Sequence, residues 1–229
     1  MTTPEPTQLP QVPAALEVSG ARERILAASY DLFLARGVRA VGVNEIIAAS
    51  SVAKATFYRH FPSKDNLIEA FFQRRQERFT TGYLVVQSQL RGATPREQLL
   101  AIFDIFDEWF QTPDFTGCPY LRALLEAGPY ERVGAASLTY INDIRSSVET
   151  AARKMGLIDP DDFARSWLTL MQGTVVAGVA GDKAAGSRVK RLGDILITLH
   201  SPADGLTPPA PSTPAPAPAP TYSVAIMPD

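Results

Sequence analysis

Five side chains able to hydrogen-bond to oxygen crowd into one short stretch: Lys54, Thr56, Tyr58, Arg59 and His60. Groups of this kind donate to phosphate oxygens and reach the edges of bases in a major groove. Within the same stretch Phe57, and just after it Phe61, are apolar at positions that fall on the opposite side of a helix. One face is therefore dressed for a polyanion and the other for a core. A second group with chemical potential lies further on, where Phe103, Phe106, Trp109, Phe110, Cys118, Tyr120, Tyr140, Trp167 and Met171 offer apolar surface of the type that lines small-molecule cavities. Arg122, Glu126, Asn142 and Gln172 are the polar groups near them in sequence that could orient a ligand.

The elements that must position the first group are legible in the spacing. Ile25, Ala28, Leu32 and Phe33 recur at helical intervals over 22–36, and Gly37 stops that helix. Two short helices follow, over 44–50 and 53–60, held together by Val43, Ile46, Ile47, Val52, Phe57 and Phe61. That arrangement is a helix-turn-helix whose second helix points outward. Pro62-Ser63 breaks the chain, and Ser63 is placed to cap a long helix running from Lys64 toward Leu90.

The segment from about Ala21 to Phe72 resembles the N-terminal domain of the TetR family of regulators, most specifically in the run Thr56-Phe57-Tyr58-Arg59-His60-Phe61-Pro62-Ser63-Lys64. The resemblance implies that Lys54, Ala55 and Arg59 touch base edges, that Thr56, Tyr58, His60 and Lys64 hold phosphates, and that Asn44 reaches a base or a phosphate. It also implies a homodimer on a pseudo-palindromic double-stranded operator, with a small-molecule effector controlling DNA affinity. Three positions depart from the family pattern. Ala53 stands where a capping Ser is common, Ser51 where a Gly is usual in the turn, and Val41-Gly42 lacks the common phosphate-binding Thr.

Beyond the long helix the chain stays helical in pattern. Thr94-Pro95-Arg96-Glu97 reads as a capping box opening a helix with Leu99, Ile102, Phe103, Phe106 and Phe110 on one stripe. Helices are expected over 120–127, 131–154, from Asp159-Pro160 onward, and over 188–199. The fold class is all-α. The expected organisation is an N-terminal arm over 1–19, a reading head over 20–66 with its motif at about 42–61, an effector-binding and dimerisation domain over 67–200, and a Pro/Ala-rich tail over 201–229. The arm and the tail have the composition of disordered segments. Gly173, Ala177, Gly178 and Gly181 form a stripe of small residues which, with Val175, Val179, Leu192, Ile195, Leu196 and Leu199, is expected to build the dimer interface.

Charge agrees with a footprint at one end. The net charge is -2, yet residues 20–80 hold ten Lys/Arg against six Asp/Glu, so the acidic excess lies in the remainder. The single cysteine cannot form an internal disulfide, which suits a reducing cytoplasm. No signal peptide is expected, because Met1 to Val18 has neither a basic n-region nor an apolar h-region, and no membrane span, because Trp167–Gly181 is too short and interrupted. With two histidines, His60 and His200, a His/Cys metal site is not expected, nor is a cofactor. An enzyme using Cys118 as nucleophile is the rival from another class. It lacks a neighbouring His or acid pair, so the expectation is that the chain is not an enzyme. A DNA-binding protein controlled by a protein partner is the other alternative.

Overall fold

The computed structural model describes residues 20–202; the expected N-terminal arm and nearly all of the expected tail lie outside the described residues. The described chain forms ten α-helices and one π-helical segment, with no strand among them. Helices α1 (Ala21–Arg36), α2 (Val43–Ser50) and α3 (Lys54–His60) make the head. Then come α4 (Lys64–Arg75), the π segment (Gln76–Val85) and α5 (Val86–Arg91) as one continuous rod. The body is completed by α6 (Pro95–Phe110), α7 (Pro119–Ala127), α8 (Arg132–Lys154), α9 (Pro160–Val179) and α10 (Ala185–His200). None of these helices is long and apolar enough to cross a membrane.

The ends of the helices are set by local chemistry. Ser63 accepts a hydrogen bond from the Asn66 amide at 3.2 Å, which satisfies one orphan donor at the start of α4. Thr94 and Glu97 form a reciprocal capping box on α6, and the Asp159 side chain accepts from the Asp162 amide at the start of α9. Gly37, at φ 84°, ends α1 in a conformation that favours glycine. It also meets the side chain of Arg122, whose Nε lies 2.6 Å from where a Cβ would stand.

Two apolar cores stack along the rod. Ile25, Phe33, Ile46 and Phe57 form the heart of the first, and α4 contributes Leu67, Ile68, Phe71 and Phe72 to it. Tyr120 and Ala123 of α7 and Ile141 of α8 complete that cluster, so the head is seated directly on the body. The second core gathers Phe103, Ile105, Phe110, Phe163 and Trp167. Stripes at helical spacing on α6 and α9 bring these rings together, as in the pair Phe103–Trp167 with centroids 5.2 Å apart.

The π segment replaces what the spacing predicts as uninterrupted α-helix. Gly82 permits it, since a Cβ there would lie 2.5 Å from the Glu77 carbonyl oxygen, five residues earlier. Thr81 Oγ1 donates to the Gln76 carbonyl across the same interval at 3.0 Å. Segments of this kind are rare and concentrate at functional sites. Here the wide turn puts Arg75, Phe79, Thr80 and Leu84 on one wall facing the body.

Candidate functional site

Helix α3 is pinned by one side and free on the other. Phe57 is fully buried and Phe61 nearly so, their rings packed with centroids 6.3 Å apart. Lys54, Ala55, Tyr58 and Arg59 are exposed, and Thr56 and His60 are half-buried beside them. Neither Lys54 nor Arg59 takes part in any ion pair among the described residues. Arg36 of α1, by contrast, is paired with Glu45, and Arg74 of α4 with Glu23. The cations on α3 are thus available to an external anion. Asn44 is exposed on α2. The turn between the helices is closed by Ser51 in the left-handed region, φ 52° and ψ 43°, a conformation that costs a non-glycine residue about 1 kcal/mol. Ala53 caps α3 with no side-chain bond. Both departures from the family pattern are therefore carried at a cost, and the motif keeps its shape because its core is fully packed.

Inside the body lies a cavity offering about 60 Å³ to water-sized molecules. Its walls come from the rod (Arg75, Phe79, Thr80, Leu84), α6 (Phe106, Trp109), α7 with the residue before it (Cys118, Tyr120, Leu121), α8 (Ile141, Ile144) and α9 (Leu168, Met171, Gln172, Val175). The lining is apolar apart from Arg75, Thr80, Gln172 and the tyrosine hydroxyl. That hydroxyl donates to the Phe72 carbonyl at 3.1 Å, and burial pushes the phenol of Tyr120 far above its ordinary range, so it stays protonated. Burial likewise pushes the Cys118 thiol up, against weaker opposing contributions from backbone amides and Arg75. A thiol held protonated is a poor nucleophile, and the groups around it include no base.

Comparison with known proteins agrees with this geometry. The family model for bacterial regulatory proteins of the tetR family matches residues 25–71, which spans the head and most of α4. A TetR-family transcriptional regulator from Streptomyces coelicolor superposes with a TM-score of 0.70 at 26% identity, covering 80% of this chain and 96% of that one. The N-terminal domain is of the TetR type, and over its length the chain is similar to a TetR-family regulator. Among curated relatives, the HTH-type transcriptional activator FasR of Mycolicibacterium smegmatis is 33% identical over 91 residues, 39% of this chain and 40% of that protein. The transcriptional repressor NemR of Escherichia coli is 27% identical over 136 residues, 58% of this chain and 61% of that protein. The matches thus span about two fifths to three fifths of those relatives' length.

The residues that the sequence marks out separate into groups. Phe106, Trp109, Cys118, Tyr120, Met171 and Gln172 meet at the cavity. Phe103, Phe110 and Trp167 do not line it; they are fully buried in the second core, where Phe103 and Trp167 pack on each other and against Gly193 of α10 and Phe110 packs against Gly178 of α9. Tyr140 stacks on Tyr120 at 5.2 Å from outside the cavity wall. Arg122 and Glu126 are also elsewhere. They pair with one another at 2.9 Å, Arg122 donates to the Arg36 carbonyl at 2.7 Å, and Arg39 donates to the Glu126 carbonyl. With Thr116 donating to Leu34 at 2.8 Å, they form a polar seam tying α7 to the head. Asn142 is exposed. Lys64 stands apart from the α3 face, half-buried with Nζ 3.4 Å from the Arg39 carbonyl, and burial lowers its affinity for a proton.

The small-residue stripe is corrected at two positions. Gly178 is packed within its own chain, where a Cβ would meet the Phe110 ring at 2.9 Å, so it is not a free surface. Val175 is buried as well. The exposed apolar residues of this region are Val176, Val179, Leu192, Ile195 and Leu199. Arg75, Phe79, Thr80 and Leu84 were missed as cavity residues, because an α-helical reading of the rod separates positions that the π turn brings together. No local signal marked Arg75, which sits in the polar run Gln73-Arg74-Arg75-Gln76-Glu77-Arg78.

Proposed function

We propose that this protein is a ligand-responsive DNA-binding transcriptional regulator of double-stranded operators, acting in the cytoplasm as a repressor released by a small, largely apolar effector. The observation that carries the reading is the face of α3, whose Lys54 and Arg59 are exposed and free of acid partners on a helix otherwise fixed by Phe57 and Phe61. Arg59 and Lys54, with Ala55 between them, read base edges. Thr56, Tyr58 and His60 contact phosphates, Asn44 adds a contact from α2, and Lys64 gives a phosphate contact by turning from the Arg39 carbonyl. A single head makes few contacts, so useful affinity needs two heads on successive major grooves, roughly 34–36 Å apart.

The exposed apolar surface of α9 and α10, Val176, Val179, Leu192, Ile195 and Leu199, is the surface we assign to a homodimer. A contiguous apolar face of this kind marks an interaction site. Effector binding in the cavity moves α4 and α7, which carry the head through Phe71, Phe72 and Tyr120. Such a ligand shifts the DNA-binding state only by its unequal affinity for the two conformations. The double variant Ile195→Glu/Leu199→Glu tests the assembly. Sedimentation should report a monomer with helical content retained, and affinity for an operator selected from random DNA should fall by about 100-fold or more. A dimer that still binds would place the interface elsewhere, and failure to select any sequence would remove the regulator reading.

A further inference from the structure

The cavity contains a cation and no anion. Arg75, the last residue of α4, is 7% exposed and forms part of the cavity wall. Its guanidinium carbon lies 3.7 Å from the centroid of the Phe79 ring and 5.5 Å from that of Trp109. The ring faces stabilise it in part, but a guanidinium stays cationic and carries five N–H donors in its plane. Among the described residues its side chain makes one hydrogen bond, a long one of 3.5 Å from Nη1 to the Tyr30 hydroxyl, and it enters no ion pair. Its neighbour Arg74, by contrast, is paired with Glu23. No Asp, Glu or Lys lines the cavity. A buried charge left without a counter-charge is costly, and an arriving anion would offset what the ring faces do not.

Taking the cavity as the effector site, as proposed above, we propose that its ligand is an amphipathic organic acid. A single carboxylate takes paired hydrogen bonds from Arg75, and an apolar body lies against Phe106, Trp109, Ile144 and Met171. One cation and no second charge fit a monoanion. The planar fork of the guanidinium matches the two oxygens of a carboxylate, and Gln172 and Thr80 supply neutral polar contacts in the same wall. The same guanidinium touches Tyr30 of α1, so a carboxylate that captures it competes with a contact to the head. Ligand charge and head position are coupled through one side chain.

Calorimetric titration of the full chain with butanoate, octanoate and dodecanoate, beside the alcohols and amines of the same lengths, tests this. The wild type should prefer the acid over the alcohol at the best-fitting length. Arg75→Gln should weaken the acid about 10- to 100-fold, leave the alcohol unchanged, and be partly rescued in Arg75→Lys. Equal binding of acid and alcohol, acid affinity unchanged in Arg75→Gln, or no binding by any acid of the series overturns the inference. If Arg75→Gln fails to fold by circular dichroism, the wild-type preference decides. Alcohols that bind and release operator DNA without any advantage for the acid overturn the carboxylate assignment while keeping the cavity as effector site. Octanoate binding undiminished in Met171→Trp, which fills the cavity from α9, overturns both.

Discussion

Lys54 and Arg59 on α3 and Arg75 at the cavity share one property: none has a carboxylate partner among the described residues. Their surroundings make that property mean different things. On α3 the charges are exposed, water solvates them, and leaving them unpaired costs the fold almost nothing. At the cavity the charge is largely removed from water, so the absence of a partner costs the folded state. The first arrangement suits a polyanion met from solvent, where released counterions drive association. The second suits a single anion enclosed by apolar walls. An unpaired cation is weak information by itself, and its burial decides how much it says.

The largest expected effect tests the exposed side. Arg59→Ala should cost about 1–3 kcal/mol per half-site on the selected operator and relax preference at one base position. Its stability should stay within about 0.5 kcal/mol of wild type, as for other exposed substitutions. Fluorescence anisotropy on cognate and random duplexes checks this, and equal weakening on both would assign Arg59 to the backbone. The next effect tests the buried side. Arg75→Met, which keeps length and removes charge, should raise stability by about 1 kcal/mol or more, read by urea titration without ligand. A loss would mean that stacking on Phe79 outweighs desolvation, and the contrast between the two regions would fail. The smallest effect concerns Lys64, which sits between the two environments. Lys64→Ala should flatten the salt dependence of DNA binding by roughly one unit per half-site, and an unchanged slope would show that its ammonium stays with the Arg39 carbonyl.

Much of the head was legible because its signals are local. Helix spacing, the stop at Gly37 and the Ser63 cap each act within a few residues, and every one reappears in the structure. The left-handed Ser51 could be anticipated from the turn alone. The cavity was less legible. Phe103, Phe106 and Phe110 share one apolar stripe on α6, yet only Phe106 reaches the cavity, since facing helices choose among residues of equal hydrophobicity. Gly178 shows the same limit: a small residue permits close approach, but the partner that approaches is the Phe110 ring of its own chain.

Sequence by itself determined the all-α class, the helix ends, the helix-turn-helix and the outward set from Lys54 to His60, because capping, periodicity and side-chain chemistry operate over one or two turns. Only the tertiary structure decided that Arg75 stands unpaired at a cavity wall, that Arg122 and Glu126 bind the head to α7, and which aromatic rings are core. Those outcomes depend on residues far apart in sequence meeting at a few ångströms. A guanidinium's partner or lack of one cannot be read until every chain segment that could supply a carboxylate has been placed.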